Sequence, residues 1–456
     1  MHRGFAATLG GWRTAQEPLA GALSAAVREA VVDGRIPAGT RLPSERELAR
    51  TLDLSRGTVV SALALLRDDG WLHTRHGSGS VVRLPERLTR RTTPWSLDRG
   101  GASDADLDLT LAVTAAPHRA YLAAQGRAVE RSAALLVDSG VADAGLPRLR
   151  ELLAERYTRE GLGTRPEQIL VTSGARAALT LLLDHLHTDR RAPVAVESPT
   201  FPGFLDILRR RRARLLPVPV TAAHGWDTGR LAETVRRRAP QLVCLTPDFH
   251  NPTGALMPDA TRAEVAALAE GHPLTVVVDE TLRELDLRTP ARPVPHLSGP
   301  GVVRIGSAGK VLWSGLRIGW IRAGSDLVRE IRRNPLQAQL SPPPLEQLIA
   351  AELLGDGLEE IVADRRDRLR AQRDHLAALL ADTGWTYDLP DGGLSLWLHL
   401  GGSTTATELA ARAARRGLAV SPGPTFAADR TTLAHYLRLP FTATPEVLTR
   451  AVGLLR

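Results

Sequence analysis

Residues 302–320 read Val302-Val303-Arg304-Ile305-Gly306-Ser307-Ala308-Gly309-Lys310-Val311-Leu312-Trp313-Ser314-Gly315-Leu316-Arg317-Ile318-Gly319-Trp320. The apolar run Val302–Ile305 reads as a buried strand, and the small residues after it bring Lys310 to the strand's end. Of the chain's 58 lysines and arginines, Lys310 is the one lysine. A neutral lysine amine can condense with an aldehyde to a Schiff base, whereas a delocalised, permanently charged guanidinium cannot. A lone lysine at a strand end therefore points to amine chemistry. The plain alternative is one stray surface lysine.

Working outward, apolar strand-like runs alternate with helical ones. Ile169–Val171, Val194–Val196, Leu242–Leu245, Leu274–Val278 and Val302–Ile305 read as strands; 175–186 and 261–270 are among the helices. Alternation of this kind predicts a mainly parallel sheet covered on both faces, an α/β fold. After Ile361 a long charged helix leads into antiparallel-looking pieces, which predicts a smaller C-terminal α+β subdomain.

Several strand ends carry chemistry. Ser173-Gly174-Ala175 follows one strand and opens a helix, so its N–H groups and the helix dipole suit a phosphate. Arg317, seven residues past Lys310, can add a bidentate contact to the same anion. Asp279 ends the run Leu274–Val278, where a carboxylate can pair with a protonated ring nitrogen. Asn251, in His250-Asn251-Pro252-Thr253-Gly254, can donate to a phenolic oxygen, and Phe201 offers a flat face for stacking. Each has a simple alternative: a helix cap, an Asn-Pro turn, a common helix start, a core aromatic. Their order and placement favour a common purpose.

Together these residues, from about Leu107 to the end, resemble the fold-type I aminotransferases. That resemblance implies a pyridoxal 5'-phosphate cofactor joined to Lys310, with Ser173, Gly174, Ala175, Phe201, Asn251, Asp279, Thr281, Ser307 and Arg317 around it. It also places Arg438, in Leu437-Arg438-Leu439-Pro440-Phe441, at an effector's α-carboxylate. Two departures stand out. The family's tyrosine shortly after the aspartate is absent, since Asp279 precedes Glu280-Thr281-Leu282, and Thr281 is expected to substitute at best. Phe201 stands where a tyrosine is common. Cofactor binding is expected to persist and transamination to be poor or absent.

The first 85 residues predict three helices and a hairpin. Leu19, Leu23, Val27, Ala30 and Val31 recur at helical spacing; Ser44-x-x-Glu47 is a capping-box pattern; Ser55 can cap a third helix carrying Val59, Leu63 and Leu66. Residues 71–75 and 80–82 read as strands joined by 76–79. This is a winged helix-turn-helix. At the start of the third helix, Arg56 can fork onto a guanine edge, Thr58 can bond a base or phosphate, and Gly57 permits close approach. Arg46 is placed for a phosphate, and the turn Arg75-His76-Gly77-Ser78-Gly79 for the backbone or minor groove. The alternative is a small helical cap with solvated charges.

Gly39-Thr40-Arg41-Leu42-Pro43-Ser44-Glu45-Arg46-Glu47-Leu48-Ala49, Ser55-Arg56-Gly57-Thr58-Val59 and Gly70-Trp71-Leu72 make this region similar to the GntR family of bacterial regulators. By that resemblance Arg46, Ser55, Arg56, Thr58, His76 and Gly77 occupy DNA-contacting positions. The whole chain resembles the MocR subgroup, in which such a head is fused to an aminotransferase-like body. Expected domains are a DNA-binding head over 1–85, a polar linker over 86–106, and a body over 107–456 whose small subdomain starts near 361. Expected partners are double-stranded operator DNA, an amine or amino-acid effector, and a second copy of the chain in a homodimer. A rival reading is a working aminotransferase with an accessory head; a third is a binding module that has lost its cofactor.

Composition agrees with this outline. At roughly 150 residues per domain, 456 residues suggest about three folding units. No run approaches the roughly 18 uncharged apolar residues of a membrane crossing, and the first residues carry no long apolar stretch of a secretory signal. The one cysteine excludes an internal disulfide and any cysteine-based zinc cluster, and no metal is expected. A reducing cytoplasm fits that count. The net charge of +8 is modest, so evidence for DNA must come from geometry.

Overall fold

The computed structural model describes the chain apart from residues 1, 10–11, 14–17, 33–34, 37–38, 76–78, 84, 86–106, 138, 141, 187–188, 190–191, 335–340 and 356. The expected linker over 86–106 and the wing positions His76 and Gly77 lie outside the described residues.

The head forms as its pattern dictates. Helices Leu19–Val32, Glu45–Leu52 and Arg56–Asp68 pack around Leu23, Val27, Leu48, Val59, Leu63 and Leu66, and the hairpin Leu72–Arg75 with Gly79–Val82 closes over them. Ser44 accepts from the N–H of Glu47 while the Glu47 carboxylate accepts from Ser44 N, so two otherwise unpaired helix donors are satisfied at once. Asp53 then turns left-handed at φ 51° and ends that helix. The sequence reading missed one element, the helix His2–Leu9, which buries Leu9 in the same core.

In the body an eight-stranded sheet runs in the order Ile169–Thr172, Gly319–Arg322, Val302–Ser307, Thr275–Asp279, Leu242–Leu245, Pro193–Ser198, Arg214–Thr221, Gly225–Trp226. Four successive pairings, from Val302–Ser307 to Arg214–Thr221, are parallel; Gly319–Arg322 is antiparallel to both its neighbours. Alternate residues explain the double cover. Val194, Val196, Cys244 and Val277 face Leu179, Leu182 and Leu208 of one helical layer. Ala195, Val243, Leu245, Val276 and Val278 face Leu231, Val235 and Val265 of helices Thr228–Arg238 and Asp259–Glu270. Strands buried on both faces must read as continuous apolar runs, and these do.

The smaller unit contains helix Leu358–Leu380 and the antiparallel strands Ser395–His399, Tyr436–Pro440 and Ser421–Pro422. It also takes in Leu107–Asp108, which pairs with Leu418–Ala419, so the body's first residues join the C-terminal subdomain. Among the described residues no helix is long and apolar enough to cross a membrane.

Candidate functional site

Carboxyl ends of adjacent parallel strands converge on one sheet edge, the usual place for a ligand in an open α/β sheet. Asp279 ends its strand, Ser307 ends the next and leads to Lys310, and Ser198 and Leu245 lead to Phe201 and Asn251. A cleft of about 160 Å³ opens there, lined by Gly174, Ala175, Phe201, Asn251, Asp279, Thr281, Ser307, Lys310 and Arg317. Those nine predicted positions are brought together. Ser173 and Arg438 stand outside the lining.

Lys310 Nζ donates to the carbonyl oxygen of Ala112 at 2.8 Å. Burial, and then the guanidinium of Arg438, lower its proton affinity to about 8, against a partial pull upward from Asp279. An amine so placed spends an appreciable fraction of its time neutral near physiological pH, which nucleophilic attack requires.

Asp279 is 5% exposed, and burial is the main reason its carboxyl is raised to about 6. Thr281 works against that by donating its N–H to Asp279 Oδ1 at 2.9 Å, and its hydroxyl also stabilises the carboxylate. Two residues beyond Asp279 in a turn, the Thr281 donors point back to the carboxylate, and Leu282 beside it presents an apolar side chain to the cleft.

The turn that opens helix Ala175–Leu186 is shaped by close backbone approach. Gly174 sits at φ +91°, and a Cβ on Gly319 would stand 2.5 Å from the Gly174 carbonyl carbon and 2.8 Å from Ala175 N. Only glycine at 319 lets the strand press against the start of helix Ala175–Leu186. Arg317, at a left-handed φ of 56°, donates to the Ser173 carbonyl at 2.9 Å, so Ser173 contributes its backbone oxygen. Ser307 Oγ is tied into the lysine turn, accepting from Gly309 N at 3.0 Å and donating to Ile318 O at 3.2 Å.

Phe201 precedes helix Pro202–Arg210 and meets Phe204 edge to face at 5.8 Å. Among the described residues the buried Asn251 carboxamide oxygen has no hydrogen-bond partner. Arg438 lies 4.8 Å over the Phe426 ring, donates to the Thr110 carbonyl, and keeps an unpartnered, buried Nε. Unpaired polar atoms of this kind are costly unless a ligand meets them.

Two residues of the cleft, Arg176 and His250, escaped the sequence reading. Arg176 lines the cleft next to Ala175 and has a buried, unpartnered Nε; burial chiefly lowers its proton affinity, and Arg317 adds to that. Its position directly after Ser173-Gly174-Ala175 was the available signal. Glu197 and His250 form a buried pair beside Asn251. His250 sat inside the quoted Asn-Pro motif, but nothing in the sequence showed what Glu197 would touch.

In the head, Ser55 is the N-cap of helix Arg56–Asp68. Its Oγ accepts from Thr58 N at 3.0 Å and meets Thr58 Oγ1 at 2.8 Å, so both hydroxyls are engaged in the cap. The side chain of Arg56 is 73% exposed, 3.9 Å from Glu45. Gly57 and Arg46 are also exposed. Helix start, exposed arginine and an open glycine surface are what insertion into a major groove needs.

Comparison with known proteins assigns both parts. Residues 138–455 match the family described as aminotransferase class I and II, and residues 19–82 match the gntR family of bacterial regulatory proteins. The chain belongs to the class I and II aminotransferase family and carries a gntR-type DNA-binding domain ahead of it, the composition of a transcriptional regulator. Within that class it has the architecture of the MocR subgroup. It is 29% identical over 416 residues to the "Probable rhizopine catabolism regulatory protein MocR" of Rhizobium meliloti, covering 84% of this chain and 82% of that one. It is 26% identical over 455 residues to the HTH-type transcriptional regulator YdfD of Bacillus subtilis, covering 91% and 90%. Among solved structures, LysN, the alpha-aminoadipate aminotransferase of Thermus thermophilus, superposes with a TM-score of 0.72 at 27% identity, covering 81% of this chain and 95% of that one.

Proposed function

We propose that this regulator holds pyridoxal 5'-phosphate on Lys310 and answers to the cofactor, to an amine or amino-acid effector, or to both, by changing its grip on operator DNA. The observation that carries the reading is the chain's one lysine, at a sheet edge, with its proton affinity lowered to about 8.

The residues present fit the group. Pyridoxal phosphate supplies, when bound, an aldehyde for amine capture and an electron-withdrawing ring. Lys310 would hold it covalently. The first N–H groups of helix Ala175–Leu186, with Arg317 and Arg176, suit its phosphate. Asp279 suits a protonated ring nitrogen, whose positive charge would offset the cost of burying the carboxylate. Asn251 would meet the phenolic oxygen, Phe201 would stack on the ring, and Arg438 would meet an effector's carboxylate. In the head, Arg56, Gly57 and Thr58 would face bases, with Ser55 fixing the helix start and Arg46 facing a phosphate; His76 and Gly77 would belong to the wing.

Coupling requires two arrangements that the small molecule binds unequally. Head and body touch where Arg230 donates to the Thr40 hydroxyl at 3.3 Å, a contact that such a change could make or break. A homodimer would present two heads to two half-sites.

The test is an absorbance titration of cofactor-free protein with pyridoxal phosphate. A visible band should form in the wild type and be absent in Lys310→Ala; a band of equal strength in the variant would remove Lys310 as anchor. The rival reading, a working transaminase, draws support from the likeness to LysN. The head weighs against it, because transamination has no use for a DNA-reading helix.

A further inference from the structure

Residues 107–115 follow the 86–106 segment and, past the short strand Leu107–Asp108, form neither helix nor strand. Groups from elsewhere hold them nonetheless. Leu107 N and Leu109 N donate to the carbonyls of Gly417 and Ala419 at 3.0 and 2.8 Å. The Thr110 carbonyl accepts from Ser421 Oγ at 3.3 Å and from Arg438. This first half is therefore fastened to the smaller subdomain.

The second half is fastened to the lysine turn. Ala112, 7% exposed and part of the cleft lining, accepts from Lys310 Nζ at 2.8 Å. Thr114 Oγ1 donates to the Lys310 carbonyl at 3.1 Å. The buried Arg365 guanidinium, on helix Leu358–Leu380, grips both sides at once. It donates to the Ala115 carbonyl at 2.9 Å and to those of Val311 and Leu312 at 3.1 and 2.9 Å.

One of these donors is also the reacting atom. When Nζ condenses with an aldehyde, a C=N bond replaces the aldehyde C=O, and both hydrogens of the neutral amine leave with the aldehyde oxygen as water. A proton that the new nitrogen then takes up lies in the plane of the ring, where the ortho phenolic oxygen accepts it. Nothing on Nζ is left to meet the Ala112 carbonyl, and a buried acceptor stripped of its donor is unfavourable. The other donors to this segment keep their hydrogens whatever enters the cleft.

We propose that residues 107–115 are a strap that Lys310 holds closed only while its amine is free, so that capture of pyridoxal phosphate releases it at Ala112. The proposal rests on the reading of Lys310 as the cofactor's anchor, and adds to it a segment that reports whether the cleft is filled. That segment is the stretch of body directly following residues 86–106, which join it to the head. Because strap and aldehyde compete for one nitrogen, each weakens the other's hold.

Hydrogen–deuterium exchange of the full chain, read by mass spectrometry, tests this. Peptides covering 107–115 are followed in wild type and Lys310→Met, each with and without pyridoxal phosphate, while absorbance records cofactor binding. Methionine keeps an unbranched apolar stem and removes the donor. Adding the cofactor to wild type should speed exchange at the Leu107 and Leu109 amides about tenfold. Cofactor-free Lys310→Met should already exchange at the faster rate, and the cofactor should not speed it further. A visible band in wild type with strap exchange unchanged or slower would overturn the strap and leave the anchor standing. So would cofactor-free Lys310→Met exchanging as slowly as cofactor-free wild type. The wild-type comparison needs no substitution, so it decides the matter even if the variant folds poorly. Wild type that develops no visible band would overturn the anchor assignment, and the proposal with it.

Discussion

Gly319 and Gly174 pass so closely that a methyl group on the first would stand 2.6 Å from the Cα of the second. One glycine therefore sets how near the antiparallel strand Gly319–Arg322 comes to the loop that opens helix Ala175–Leu186. Gly319→Ala must push the two apart, and overpacking of this kind costs about 1–3 kcal/mol. The variant should melt lower than wild type and need more pyridoxal phosphate to fill. Retained melting temperature with retained affinity would show that the loop does not hold the phosphate.

The lowered proton affinity of Lys310 sets a pH dependence. Only the neutral amine attacks an aldehyde, so the rate of visible-band formation should climb roughly tenfold per pH unit below about 8 and level off above it. Stopped-flow absorbance checks this. A rate still rising steeply toward pH 10 would mean an ordinary exposed lysine. The same shift acts on stability: between about 8 and the unfolded value of 10.5 the unfolded chain binds the extra proton, so the cofactor-free fold gains stability as pH rises through that window.

Among the described residues Arg56 is held only by a 3.9 Å approach to Glu45. Arg56→Ala should weaken operator binding by about 1–3 kcal/mol if the guanidinium reads a base, and leave the visible band intact. Fluorescence anisotropy with labelled duplex measures it. Unaltered affinity would take Arg56 off the recognition surface.

Leu282 brings no hydroxyl to the cleft, and Thr281 is engaged with Asp279. Incubation with amino acids should accordingly yield little or no keto acid. Multiple turnovers in a coupled assay would favour the transaminase reading.

Much of the fold was legible because its signals are local. Val276 and Val278 fill one face of the sheet and Val277 the other, so the run announces a strand wherever it is read. Arg214–Thr221 was missed because Pro217 and Pro219 mask the pattern, and Gly319–Arg322 because its Gly and Arg read as a loop. The site residues that were found sit at strand ends inside short motifs. The contacts of Glu197 were not found, since only folding brings Trp226, Thr246 and His250 to it. The contact of Thr281 with Asp279 was hidden for a related reason: the sequence showed a hydroxyl but not the carboxylate it turns toward.

Leu107–Asp108, the first described residues after the 86–106 segment, are paired with Leu418–Ala419 rather than with the eight-stranded sheet. The tether to the DNA-reading head is thus fastened to the smaller lobe. Arg438 lies in that same lobe. Arg438 donates to the carbonyl oxygen of Thr110, so one hydrogen bond and a few residues of chain separate it from the strand that opens the body.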